Sequence, residues 1–451
     1  MRQSSVPEGE PFTPLRTAPA CPTQEQLFPL VSRLPEINRT YTTYQAYRVR
    51  GAIDPEALGD AVDQVVARHE ALRTCLGATP AGLRQLIGPA RTGSLRSVDL
   101  RAVPPSEAHG VLAQSLLEES ETLFRITDEP LSRFTLFRIA DDDQVVMAVI
   151  HHLVFDGWSF GVLWREVTEL YRAARAGEPP ALPPVKTQFT DFVTRQREWL
   201  EQDEAQEQIR FWLDELRGCA TGATLPYDDI PVSAPTRAGA RLPVALSAEL
   251  SARVALTARR ERVTVAAITL LALQLVISRA TAVDDVVVGV PMGNRTSTDD
   301  FDAMGFFVNA HALRMRLDEG RTPRELVRSA AHKLLAAMIN QRVPLPAVVA
   351  ASRVDQSPGL PSALFRVIFT FHNEPNPSLE LGATRTEWWN VEDRTRRADL
   401  TLHIGRHGDR IAGEFEYSTQ LYRPETIERF TEAYTTTVQE IIDDLDDRAI
   451  P

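Results

Sequence analysis

Lysine is almost missing from this chain of 451 residues: Lys186 and Lys333 are the only two, and arginine supplies the rest of its 49 positive charges. Neither lysine stands in a G-x-x-x-x-G-K-[ST] setting, which excludes a Walker-type nucleotide site. Cysteine is scarce as well. Cys21, Cys75 and Cys219 form no C-x-x-C pair, so no zinc site and no redox dithiol are expected. An odd cysteine count without an apolar leader segment points to the reducing cytoplasm. There is no long basic run, and 49 Lys+Arg against 61 Asp+Glu give a net charge of −12, which speaks against nucleic acid as a partner. No stretch approaches the roughly 18 apolar residues of a membrane span, so no membrane partner is expected.

What is present is enough chain for more than one hydrophobic core, with 43 % apolar residues. Residues 1–17 are polar and Pro-rich and read as a flexible tail. Apolar periodicity predicts helices from Pro22 and over 54–76, 106–122 and 159–176, with strands over 41–51, 132–140 and 144–152. "GEPPALPPV" (177–185) has proline at four of nine positions and marks a linker. It separates an N-terminal lobe over 18–181 from a C-terminal lobe over 182–451. Beyond it, the pattern predicts helices over 188–217, 247–260, 264–281 and 424–444, and strands over 284–291, 306–317, 363–372, 400–405 and 411–418. Helices alternating with strands in both halves argue an α/β class built as two α+β sandwich lobes.

The stretch richest in chemistry is "IHHLVFDGWS" (150–159). Neighbouring strand residues face opposite ways, so His151 and His152 at the end of a buried strand diverge. One imidazole can face chemistry while local hydrogen bonds hold the other. A metal site is not expected, because no third ligand converges nearby. Asp156 and Gly157 make a tight exit into a helix, where a carboxylate can accept backbone N–H groups or pair with an arginine. Two readings stay open on the residues alone: a pair of core histidines at a strand end, or a base placed beside a loop.

"HHLVFDGWS" resembles the HHxxxDG motif of nonribosomal peptide synthetase condensation domains, which share the chloramphenicol acetyltransferase fold. "CPTQEQLFPL" (21–30) is similar to that family's opening motif, with Gln24 and Leu27 in place. "ARHEALRTCL" (67–76) resembles its RHExLRT motif, and "FTDFVTRQREWL" (189–200) its Y-x-D-Y/F stretch. "VGVPMGNRT" (288–296) resembles the segment ending in Gly-Arg and puts Arg295 at the family's arginine. "MGFFVNAHALRMRL" (304–317) resembles G-x-F-V-N-T and carries over Asn309. The resemblance covers residues 18–445.

The resemblance implies two lobes in a V with a tunnel between them, a peptidyl or acyl carrier protein as donor, and a small-molecule acceptor. The chain itself binds no cofactor, and the phosphopantetheine arm arrives on the carrier. His152 is the implied base, with His151 and Gly157 completing the motif. Asp156 pairs with Arg295 to hold the loop, and Asn309, Trp158 and Ser159 are the implied substrate contacts. The product is an amide or ester, and the chain is similar to free-standing members, some of which form esters in enediyne pathways. Three departures stand out. Asn340 replaces a histidine in "NQRVPLPAVV" (340–349), Ala310 follows Asn309 where threonine is usual, and the epimerase-type segment is missing. Two other functions fit the same fold: an acyltransferase using free acyl-CoA, and a carrier-docking module without chemistry. "EWWN" (387–390) reads either as loop packing or as a pocket wall. "RTRRAD" (394–399) reads as a carrier contact or a solvated charge run. His311, His372, His403 and His407 have no partner spacing and read as structural or surface residues.

Overall fold

The computed structural model describes residues 12–219, 224–229, 238–317, 320–352, 364–372, 378–391 and 395–447. They form a mixed α/β fold divided into two compact units. The first gathers the described residues of 1–197, 295–307 and 376–392; the second holds those of 198–294, 308–375 and 393–451. The division differs from the linker-based expectation. The segment 177–185 lies inside the first unit, where Arg68 Nη2 donates to the Pro183 carbonyl at 2.8 Å and the Ala181 N–H to Glu169 at 2.6 Å. Proline there marks an absence of regular structure, not of contacts. Of the expected tail, residues 1–11 lie outside the described residues, and Arg16–Pro19 is a strand paired with Gly82–Ile87.

In the first unit a five-stranded sheet runs Arg385–Trp389, Thr42–Arg50, Asp143–His151, Ser132–Ala140, Leu95–Asp99. Its pairs are antiparallel except the last. Every residue from Gln144 to His151 is buried, as a central strand covered on both faces requires. The expected helix over 54–76 is shorter. Asp54 caps it by accepting from Glu56 and Ala57 N–H, and it ends at Arg68. A 3-10 turn, Glu70–Arg73, and a strand, Thr74–Thr79, follow. The break has a cause: His69 and Arg68 both turn their side chains to Glu166 of the Gly157–Ala176 helix, at 2.9 and 3.0 Å. That places the RHE segment in a helix-to-helix clamp.

The second unit is built on a six-stranded sheet ordered Asn309–Arg316, Asp285–Met292, Val367–His372, Leu400–His407, Arg410–Ser418, Gly239–Ala245. Its core contains the Val265–Thr281 helix, buried around most of its circumference and capped by Thr264 on the Ala267 N–H. The predicted helix over 188–217 is two, Phe189–Leu200 and Asp203–Glu215. No single helix among the described residues is long and apolar enough to cross a membrane. "EWWN" is not a loop. Trp388 and Trp389 lie on the edge strand, the first packed edge-on against Tyr47 with ring centroids 5.5 Å apart and the second tilted against His109 at 5.2 Å.

Candidate functional site

The 143–151 strand ends at His151, which pairs with Thr42, and the chain turns through Leu153 into the helix that starts at Gly157. The two histidines diverge. The Leu153 N–H donates to His151 Nδ1 at 3.1 Å, so that nitrogen is an acceptor and the ring proton sits on Nε2. The ring is wholly buried, edge-on to Phe124 at 6.1 Å. His152 carries the opposite tautomer. Its backbone N–H donates to the Tyr41 carbonyl at 2.7 Å, and its Nδ1 lies 2.5 Å from the Phe155 carbonyl. A carbonyl only accepts, so Nδ1 holds the proton and the neutral ring keeps its lone pair on Nε2. The ring tilts against Phe306 at 4.8 Å, and 7 % of the residue is exposed.

Asp156 is held on both of its oxygens. Its two oxygens accept from Arg295 Nη1 and Nη2 at 2.8 and 3.0 Å, from the Ser159 N–H and Oγ at 3.0 and 2.7 Å, and from the Phe307 N–H at 3.2 Å. Burial acts to raise its pKa, but the Arg295 charge and the hydrogen bonds from Arg295 and Ser159 outweigh it and hold the carboxyl below the usual carboxylate range. Arg295 Cζ lies over the Phe307 ring, 4.1 Å from its centroid, and Nη2 also donates to the Ala303 carbonyl at 3.2 Å. The 295–307 segment is thereby fastened to the first turn of the helix.

Two of the expected substrate contacts carry structural hydrogen bonds. Ser159 is fully buried; its Oγ donates to Asp156 and accepts from Gly305 N–H at 3.1 Å. Asn309 is 3 % exposed, its amide donating to the Gln341 and Val343 carbonyls at 3.0 and 2.5 Å while its oxygen accepts from the Leu345 N–H at 3.0 Å. Every donor and acceptor of that side chain is used inside the second unit, so Asn309 holds the 340–345 loop. Trp158 is 38 % exposed and anchored through its indole N–H to the Phe301 carbonyl at 2.8 Å; it is the member of the expected trio with a free face. Gly157 opens the helix with empty space where a Cβ would point. Among the described residues, no three His, Cys, Asp or Glu are placed to share a metal ion.

Sequence reasoning missed Phe306, Phe155 and the bracing role of Gln24. The buried Gln24 donates to the Leu153 carbonyl at 2.7 Å while its oxygen accepts from the Cys21 N–H at 2.8 Å, so the opening motif buttresses the histidine turn. Only the motif match drew attention to Gln24, whose partner stands 129 residues away. His311, expected to be structural or at the surface, is buried and stacked on Trp212 at 4.5 Å.

The family model described as "Condensation domain" matches residues 15–449. Malpinin synthetase of Mortierella alpina is 32 % identical over 431 residues, covering 95 % of this chain and 6 % of that protein. The phosphinothricin tripeptide synthetase PhsC of Streptomyces viridochromogenes is 30 % identical over 440 residues, covering 96 % and 40 %. The chain thus spans under half the length of these curated relatives. Among solved structures, the X-domain from teicoplanin biosynthesis superposes with a TM-score of 0.84 at 24 % identity over 98 % of this chain and 97 % of that one. The SgcC5 protein from Streptomyces globisporus, solved with (R)-(-)-1-(2-naphthyl)-1,2-ethanediol and sucrose, superposes with a TM-score of 0.77 at 25 % identity over 94 % and 98 %.

Proposed function

This chain belongs to the condensation-domain family of nonribosomal peptide synthetase type, and from that membership we propose that it moves an acyl or aminoacyl group from a carrier protein's phosphopantetheine thioester to a small hydroxyl or amine acceptor. The observation that carries the reading is the family match over residues 15–449, which takes in the histidine turn where His152 Nδ1 donates to the Phe155 carbonyl. In the proposed reaction the acceptor oxygen or nitrogen bonds to the thioester carbonyl carbon as its proton passes to His152 Nε2. The C–S bond then breaks, and the departing thiolate takes up that proton. The thioester is already activated, so no nucleotide is consumed. Asp156 and Arg295 hold the turn and take no proton.

A hydroxyl acceptor, and so an ester product, is the finer reading. Its support is the likeness to SgcC5, whose structure holds a vicinal diol. Mass spectrometry of mixtures containing an acyl-loaded carrier and paired hydroxyl and amine acceptors tests it. Ester formed in preference to amide, and abolished by His152→Ala, is the expected result. Equal turnover of free acyl-CoA would remove the carrier requirement. Product formation that persists with His152→Ala would remove the base.

A further inference from the structure

Asn294, Ala282 and Arg262 are the non-glycine residues with positive φ among the described residues, and Asn294 has φ +51°. It immediately precedes Arg295, at the point where the chain leaves the second unit for the first. The family pattern has glycine before that arginine; asparagine is among the few other residues that enter the left-handed region readily. Even so, a buried asparagine in that conformation needs something to hold it.

Gln341 supplies the hold. Its Oε1 accepts the Asn294 backbone N–H at 3.0 Å. The Gln341 side chain is itself pinned, its Nε2 donating to the Met338 carbonyl at 2.9 Å. The backbone around it is pinned more firmly. Trp212 donates to the Asn340 carbonyl at 2.9 Å, Asn309 to the Gln341 and Val343 carbonyls, and His311 Nε2 lies 3.2 Å from the Gln341 carbonyl. Burial pushes the His311 pKa down to about 4, so its ring is neutral near pH 7 and donates through Nε2.

We infer that Gln341 is a positioning residue: it fixes the left-handed backbone of Asn294 and so aims Arg295 at Asp156. The Asn309 network has a purpose in this scheme, since it sets the loop that presents Gln341. The kinetic arm of the test rests on the acyl-transfer reading; the exchange arm does not. Two amides report the Asp156 end directly, Gly305 N–H on Ser159 Oγ and Phe307 N–H on Asp156.

The experiment compares Gln341→Leu, Gln341→Glu and the double variant Gln341→Leu/Asn294→Gly with wild type by hydrogen exchange of the 303–307 peptide and by turnover. Gln341→Leu removes both side-chain hydrogen bonds, and loss of the one to Asn294 is expected to speed exchange of that peptide about 3- to 10-fold and to lower kcat by a similar factor with KM unchanged. Gln341→Glu keeps an acceptor oxygen and is expected to restore both, as is the double variant, because glycine takes positive φ without a Cβ penalty. Wild-type exchange at 303–307 in Gln341→Leu overturns the inference. So does faster exchange spread evenly over both units and unrelieved by either companion variant, which marks a general loss of stability. Absence of wild-type turnover with every acceptor counts against the acyl-transfer reading alone, because the exchange result still decides the positioning role.

Discussion

Asp156 accepts five hydrogen bonds, and His152, four residues earlier, has its Nδ1 committed to a carbonyl. In the proposed reaction the first fastens the motif and the second reacts. Asp156→Asn leaves the buried Arg295 guanidinium without its counter-charge, and the expected cost is about 3–5 kcal/mol in urea unfolding. The folded carboxyl lies below the unfolded value of about 3.9. Its contribution is therefore complete above that pH and is lost as pH falls through the folded value. The stability gap between wild type and Asp156→Asn should narrow below about pH 4; a gap that stays constant to pH 2 contradicts the ion-pair account. His152→Ala is expected to lower kcat by about 10²–10⁴-fold with the unfolding midpoint preserved. The divergence of the two histidines was legible from strand alternation alone. The Asp156–Arg295 pair was legible only through family resemblance, because 139 residues separate the partners. Ser159 and Asn309 carried no local mark showing that their side chains would be taken up by internal hydrogen bonds.

At the scale of elements, the histidine turn is braced from several sides by segments remote in sequence. The Phe189–Leu200 helix sets Phe189 so close to Gly305 that an added Cβ would stand 2.4 Å from the ring, and Phe189 and Phe192 both pack on Phe307 at 5.1 and 4.7 Å. Gly305→Ala is therefore expected to destabilise by about 1–3 kcal/mol through overpacking. Phe189→Leu in the same chain should recover part of that loss, read as a coupling energy in a double-mutant cycle by thermal unfolding. Purely additive effects argue against the contact. Apolar periodicity revealed most helices and the central strands. It overran at 69–76, where tertiary pull on His69 ended a helix that the pattern would continue. It was silent on the edge strands Leu95–Asp99 and Gly239–Ala245, whose mixed burial leaves no clear alternation.

For the molecule as a whole, the first unit is assembled from three separated stretches of chain. A fragment of residues 1–197 lacks Arg295 and the Arg385–Trp389 strand. It is expected to show no cooperative unfolding transition when produced alone, as followed by circular dichroism against denaturant; a sharp transition would mean that those late stretches are dispensable. Proline content in the sequence suggested a simple cut between halves, because composition reports local disorder and carries no record of a strand returning from 343 residues downstream, as Trp389 does to Ala46. That return has a consequence for birth on the ribosome. The early sheet waits with an open margin of unpaired amides until residues 385–389 have been made, and a buried acid waits without its guanidinium until Arg295 has. Slow translation between residues 151 and 385 would lengthen that exposed interval, and chaperone demand should rise with it.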